Sequence, residues 1–352
     1  MRAKCKMTIT HSFHLLDPMD ERWLVFLASR PESNIFQHPS WIYNLAECYG
    51  YKPFIVVVLN DQGTVLAGLP IMEVNSFLTG HRWVSLPFTD HCAPLYRDSE
   101  TLNLLTRWLV EFFNSEGLDK IELRWELPPS PYIYPYSDYV LHTVQLDSDA
   151  ENLYKRLKKT KRQDIRKSIN KGVRVERGTT QEYLRKYYHH QLYVRRKHGI
   201  PTQPWKFFEL LGKNILEKEL GFVLLAYKGD ECIAGIVILQ WQQTLTYKFS
   251  ASDQTKLDLH PNHLLLWTAI QWGCAHGFTS FDLGRSNITD AGLRDFKSSW
   301  AAEEKPLIYS TICTNPPEFA SSKLLPVMNI IIRNSPIWVN RLIGELLYKH
   351  VG

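Results

Sequence analysis

An α/β architecture built twice over is the fold class the sequence predicts: two tandem domains, each a mixed, mostly antiparallel sheet flanked by helices, then a C-terminal helical tail. Three observations carry this expectation. The 352 residues exceed one ordinary core and suit two domains of about 150 residues each. A composition of 44% hydrophobic and 22% charged residues is that of a globular chain, not a disordered one. One series of strand and helix signals also recurs in the same order in both halves.

Strand-like runs at Phe54–Leu59 and Phe222–Tyr227 each lead into a polar turn, Asn60-Asp61-Gln62-Gly63 and Lys228-Gly229-Asp230-Glu231. A second strand with Ala-Gly inside follows each turn, Val65–Ile71 and Cys232–Ile238. Third β-rich runs come next, His81–Leu86 and Thr244–Ser250, then helices at Thr101–Phe113 and His263–Ala275. Gly117 and Gly277 end those helices, before short strands that finish on Arg124 and Arg285. Strands joined by tight turns must pair antiparallel, whereas a strand–helix–strand step permits parallel pairing. Domain limits of 1–147 and 148–315 follow, with a tail over 316–352. In the tail, Ser335-Pro336 opens a helix whose Val339, Leu342, Ile343, Leu346 and Leu347 read as one apolar stripe.

The start of the second domain is the most charged place in the chain. Ser148-Asp149-Ala150-Glu151 reads as a capping box and Gly172 as the stop of one helix, with Leu153, Leu157, Ile165 and Ile169 as its apolar seam. Between residues 155 and 171 stand nine bases, among them Lys158, Lys159, Arg162 and Arg166, against the single acid Asp164. The stretch therefore carries more positive charge than the whole chain's net +5. A solvated helix face explains such a run. So does a surface for a phosphorylated partner: RNA, a nucleotide sugar or an anionic lipid head group.

Two further constellations bear chemistry. Tyr247–Asp253 followed by His260-Pro261-Asn262-His263 reads as a strand-to-helix elbow, whose helix N-terminus suits an anion or a developing oxyanion. His260 and His263 offer no third metal ligand at recognisable spacing, so no metal is expected. Downstream, Asp282 alternates with Phe281 and Leu283 and so faces the opposite side of its sheet. In the next helix Leu293, Phe296 and Trp300 form an apolar stripe, with Lys297 at its edge. Snorkelling explains that lysine. A placed cation stabilising charge on a reacting acyl oxygen also does.

These residues resemble a family. Asp164-Ile165-Arg166-Lys167, Tyr193–Pro201, Pro261–Trp267, Phe281–Arg285 and Gly292–Trp300 are similar to the GNAT superfamily of acyltransferases, in the double-domain form of the Fem-type peptidyltransferases and related GNAT-like acetyltransferases. The first copy adds Leu69-Pro70, Ser85-Leu86-Pro87-Phe88 and Glu122-Leu123-Arg124. The resemblance is strongest from Leu153 to Ile312. It implies two GNAT-like domains and transfer of an aminoacyl group from charged tRNA to an amine of a cell-wall peptide. It matches the family's phenylalanine–lysine pair to Phe296-Lys297. The stretch from Thr179 to Glu219 is too short for the coiled-coil arm of some Fem enzymes. The Gly-rich loop that cradles the CoA pyrophosphate in ordinary GNAT enzymes is absent at Asp258–His263.

The expectation is an enzyme that forms an amide on an amine of a cell-wall or envelope-polysaccharide precursor. Lys297 and Asp282 are its expected catalytic residues. Arg285, Phe296, Tyr247, Asn262, His263, Lys158, Lys159, Arg162 and Arg166 are expected to bind substrate. No tightly bound cofactor is expected, and the acyl donor, aminoacyl-tRNA or acyl-CoA, enters as a co-substrate. The expected partners are that donor or a nucleotide- or lipid-linked sugar, with weak peripheral membrane contact through the tail and no DNA. An acetyl-CoA-dependent N-acetyltransferase and a non-catalytic RNA- or glycan-binding module are the alternatives. Six scattered cysteines without a CxxC pair suit a reducing cytoplasm, or the inner face of its membrane.

Overall fold

The computed structural model describes residues 11–77, 79–317 and 324–350. Its first half runs β1 (Ser12–Leu16), α1 (Glu21–Ala28), α2 (Pro39–Tyr49), β2 (Lys52–Leu59), β3 (Val65–Ser76), β4 (Gly80–Val84), β5 (Leu95–Tyr96), α3 (Ser99–Glu116), β6 (Lys120–Leu123) and β7 (Ile133–Gln145). The second half runs α4 (Ala150–Arg156), α5 (Lys159–Asn170), β8 (Val173–Gly178), α6 (Gln181–His198), α7 (Trp205–Leu211), β9 (Gly221–Lys228), β10 (Glu231–Trp241), β11 (Thr244–Ser252), α8 (Pro261–Ala275), β12 (Ser280–Asn287), α9 (Ala291–Ser298) and β13 (Glu303–Ile312). The tail adds α10 (Leu324–Asn334) and α11 (Ile337–Leu347).

All these strands form one sheet, ordered β1-β2-β3-β4-β6-β13-β7-β12-β11-β10-β9-β8, with β5 paired to β3. The duplicated series is present, and both strand–helix–strand steps pair in parallel, β4 with β6 and β11 with β12. At the centre the copies exchange their last strands. β7 leaves the first copy to pair antiparallel with β12 of the second, and β13 returns to pair antiparallel with β6 of the first. The two exchanged strands then pair with each other. No free sheet edge remains at this seam.

Alternation along β9 shows how the core is divided. Phe222, Leu224 and Ala226 join a cluster under α4, α5 and α8. Val223, Leu225 and Tyr227 join a larger cluster that continues through α6 and α7 into the first half. Both faces of the strand are covered, as its unbroken apolar run requires.

Four readings of the sequence need correction. The basic segment is two helices, not one: Leu157 and Lys158 are extended between α4 and α5. Leu157 sinks into the core there and the Lys158 backbone N–H donates to Ser299 O at 3.2 Å. A continuous helix would also stack like charges at spacings of three and four. Its N-cap is Asp149, which accepts from Glu151 N, so Ser148 forms no capping box. The seam loses Ile169, which is 54% exposed. In α9 the apolar Leu293 is exposed and the buried residue is Lys297.

The tail also differs from its stripe. α11 docks through Asn340 and Gly344, leaving Leu342 and Leu346 exposed and Val339, Ile343 and Leu347 half-buried. Asn340 Nδ2 donates to Thr202 Oγ1 at 2.9 Å, while its Oδ1 accepts from Thr202 N at 3.2 Å. A side chain at Gly344 would overlap the Thr202 carbonyl, so only glycine lets the helix lie so close. Tyr348 beyond it packs on Tyr49 and Phe88, and Tyr51 donates to Lys349 O at 2.7 Å, tying the tail to both halves.

Candidate active site

Three irregularities in the strands build a charged cluster at the seam. Lys248 is skipped in the β10–β11 register, where Val237 opposes Phe249 and Ile238 opposes Tyr247. Such a bulge re-aims a side chain. The Lys248 ammonium crosses to the first half, donating to Phe88 O at 3.0 Å and lying 3.3 Å from Asp90 Oδ2. The rings of Phe36, Trp41 and Phe249 surround it. The β12–β7 register shifts between Asp282 and Arg285, where Gly284 takes φ +71. A Cβ at Gly284 would lie 3.2 Å from Asp90 Oδ2. A third shift, between Leu307 and Tyr309 in β13, lies beside these two.

The Gly284 bulge turns two carbonyls toward α9. Lys297 Nζ donates to Gly284 O and Arg285 O, both at 2.8 Å, and the residue is only 5% exposed. Burial pushes its pKa down to about 8, against the pull of Asp90 and Asp282. Asp282 faces the first half, away from Phe281 and Leu283, which lie in the second core. Its Oδ1 accepts from Gly284 N at 2.7 Å and its Oδ2 lies 2.8 Å from His91 Nε2. His91 Nδ1 lies 3.4 Å from Asn34 Nδ2, an amide donor, so Nε2 carries the proton offered to Asp282.

Arg285 lies over Tyr139, donates to the Tyr309 hydroxyl at 2.7 Å and approaches Asp90 Oδ1 at 3.9 Å. The Tyr309 hydroxyl donates in turn to Asp90 O. Arg124, the counterpart of Arg285 in the first copy, lies over the same Tyr309 ring. Burial alone would push the Asp90 carboxyl up, but Lys248, Arg285 and Lys297 outweigh it and hold the group below its usual range. The cluster can therefore present a fixed carboxylate beside three cations in a site of low dielectric.

The expected binding residues divide into two groups, joined through α9. On its outer side Lys158 pairs with Asp295 at 2.7 Å, and Lys161 lies 5.1 Å from the Phe296 ring centre. His263 packs on Phe296 and Trp300, with Lys161 Nζ 3.1 Å from its Nε2. Burial and the Lys161 charge push His263 down to about 4. Asn262 Nδ2 donates to Ser252 Oγ at 3.2 Å, and its buried Oδ1 has no hydrogen-bond partner. Lys159 and Arg166 are exposed on α5, Arg166 over Tyr154, and Arg162 is half-buried. Tyr247 is half-buried against the second core, and its carbonyl oxygen lies 3.9 Å from where a Cβ on Gly284 would stand. The fold also brings Asp164 within 3.7 Å of both His260 and His263, the one group of three possible metal ligands among the described residues. The Lys161 ammonium already faces His263 Nε2, and the surrounding bases oppose a divalent cation there.

Sequence reasoning missed Asp90, His91, Lys248 and Tyr309. For Lys248 there was a signal: a lone cation in mid-strand between two aromatics, Tyr247 and Phe249. Asp90 and His91 sit in the irregular segment between β4 and β5, where no strand or helix period fixes which way a side chain faces.

Residues 155–298 match the family described as acetyltransferase (GNAT) domain. The whole fold is similar to that of FemX, with a TM-score of 0.68 and 14% identity over 91% of this chain and 100% of that one. L-PGS from Bacillus licheniformis is similar with a TM-score of 0.56 and 15% identity over 94% of this chain and 98% of that one. A tandem GNAT protein from the clavulanic acid biosynthesis pathway gives 0.53 and 11% over 86% and 98%. At these identities the likeness is one of fold. No curated protein matches the chain in sequence.

Proposed function

With a GNAT acyltransferase domain at residues 155–298 set in a tandem fold of the Fem type, the chain is an acyltransferase, and we propose that it moves an acyl or aminoacyl group onto an amine of a cell-wall or envelope-polysaccharide precursor. The observation that carries this reading is the Lys297 ammonium, buried beside Asp90, Asp282 and Arg285 where the two halves meet. A neutral amine attacks the acyl carbonyl, the C–N bond forms, and negative charge develops on the former carbonyl oxygen. Lys297 faces that charge without needing to reorganise. Asp282, with His91 on its second oxygen, takes the amine proton and returns it to the leaving oxygen or sulfur as the C–O or C–S bond breaks. Arg285, with the Tyr247 carbonyl, holds the substrate at this end, and Phe296, Asn262 and His263 hold it on the outer side of α9, at the N-terminus of α8.

The donor is phosphorylated, aminoacyl-tRNA or acyl-CoA, and enters as a co-substrate with no resident cofactor. Lys158, Lys159, Arg162 and Arg166 provide its electrostatic landing surface outside α9. The absence of a Gly-rich loop before α8 favours the aminoacyl ester over the thioester. A cytoplasmic setting, where these donors reside, belongs to the same proposal. The test is to ask whether purified protein retains tRNA, acyl-CoA or a nucleotide-sugar precursor, and then to follow amide formation by mass spectrometry. An amide product that Lys297→Met suppresses supports the proposal. Transfer that proceeds unchanged in Lys297→Met overturns the role given to Lys297, and absence of any transfer from every donor class overturns the reaction.

A further inference from the structure

The tail presents a surface that acyl transfer does not use. Trp338, Leu342 and Leu346 follow one another at spacings of four, so they form one row along α11. They are 66%, 48% and 60% exposed, and Ile330 and Ile331 of α10 are exposed as well. Water-facing rows of large apolar side chains mark interaction sites. The helix is not loose: Asn340, Gly344 and Tyr348 anchor its other face, so the row is held outward by the docking itself.

Charge chooses among partners. Arg333, Arg341 and Lys349 flank the row, against Glu345 alone, which lies 3.7 Å from Arg341. Beside α11 lies a depression of about 280 Å³ lined by Arg185, Tyr188, His189, Leu192, Trp205 and Arg341. The Arg185 guanidinium lies 4.9 Å over the Trp205 ring, and the floor is mostly apolar. Two guanidinium groups above aromatic and aliphatic walls suit a phosphodiester whose other end is hydrocarbon. An exposed tryptophan with flanking arginines is also the composition of a helix lying at a membrane surface. No helix among the described residues is long and apolar enough to cross a membrane, so contact by this face is superficial.

We propose that α10 and α11 dock the protein on an anionic bilayer, with Trp338, Leu342 and Leu346 entering the head-group layer and Arg185 and Arg341 taking one lipid phosphate. The inference stands on the tail, α6 and Trp205 at the start of α7, and is independent of the acyl-transfer reading. Binding is weak and salt-sensitive, because one short helix with few charges supplies it.

The experiment is flotation of the full chain with phosphatidylcholine vesicles, with and without phosphatidylglycerol, at low and high salt. The expected result is binding at low salt to the phosphatidylglycerol vesicles only. Trp338→Ser with Leu346→Ser, and separately Arg185→Gln with Arg341→Gln, should each weaken it about tenfold or more. All four side chains are exposed, so unchanged melting temperatures show that the variants fold. Failure of the unaltered chain to float at low salt overturns the proposal. So does stabilisation by inorganic phosphate, lost in the arginine pair, without any flotation; the depression would then be a free-anion site. A dimer in sedimentation velocity that Trp338→Ser with Leu346→Ser converts to monomer would assign the row to a second copy instead.

Discussion

Lys297 is a cation that the fold makes expensive to keep charged. Its pKa of about 8 lies below the ordinary lysine value of 10.5, so between those values the unfolded chain binds a proton that the folded chain releases. Stability contributed by this group therefore rises with pH across that window, while activity that needs the ammonium falls above about pH 8. A kcat profile with a basic limb near that pH, displaced upward in Lys297→Arg, is the expected result. Lys297→Met should lower turnover by roughly 10²- to 10³-fold. It should also lower stability by about 1–3 kcal/mol, because Gly284 O and Arg285 O lose their donor. Such a cost was invisible while Lys297 was read as sitting at a helix edge. Gly284→Ala tests the bulge: a side chain at φ +71 costs roughly 1–2 kcal/mol. The same side chain presses on Asp90 Oδ2, so its catalytic loss should exceed what the change in melting temperature alone explains. His142 shows the same sign in a more acidic window. It is fully buried with neither ring nitrogen hydrogen-bonded, and burial holds it down to about 4. Between its ordinary 6.5 and that value only the unfolded chain gains the proton, so stability falls as pH drops through the interval. His142→Leu should flatten this acid limb in melting curves recorded against pH.

At the scale of elements, α5 offers a clean test of charge against geometry. Lys158 is already paired with Asp295, whereas Lys159 projects into solvent. Replacing Lys158, Lys159 and Arg162 with Gln should weaken binding of a phosphorylated donor and lower its log–log salt slope by about one unit per lost contact. An unchanged slope in filter-binding titrations would leave α5 as a solvated face. The strands and the main helices were legible because unbroken apolar runs bounded by turns, as in Phe222–Tyr227, and the 3.6-residue period, as in the helix that ends at Gly117, survive in the sequence. The break at Leu157–Lys158 was not, because Leu153, Leu157 and Ile165 keep helical spacing across it and the interruption is set by a distant acceptor, Ser299 O. Which face of α11 docks was not legible for a related reason. Hydrophobicity pointed to Leu342 and Leu346, but close approach to Thr202 favoured the one glycine on the helix.

For the whole molecule, the reciprocal exchange of β7 and β13 makes the two copies a single cooperative body. Residues 1–147 alone would lack β13, and 148–352 alone would lack β7. Neither piece should show a sharp thermal transition, whereas mixing them should restore one, and the intact chain should melt in a single step by calorimetry. Separate, stable melting of each piece would show that the exchange is dispensable. The duplication could be read from sequence, but the exchange could not, because either pairing of the last strands satisfies the same local patterns. The candidate site was half legible for the same reason. Asp282, Arg285, Phe296 and Lys297 lie in one stretch, while Asp90, His91 and Lys248 reach them only across the seam.

The exchange also imposes an order on synthesis. As the chain emerges, β6 is complete by Leu123, yet its partner β13 ends only at Ile312. Until then the first copy carries a bare strand edge, open to wrong pairing with another nascent chain on the same message. In the finished chain that edge is closed, so the hazard is confined to biogenesis. Expression yield should therefore respond to translation speed and to chaperone supply more steeply than the stability of the purified protein would suggest.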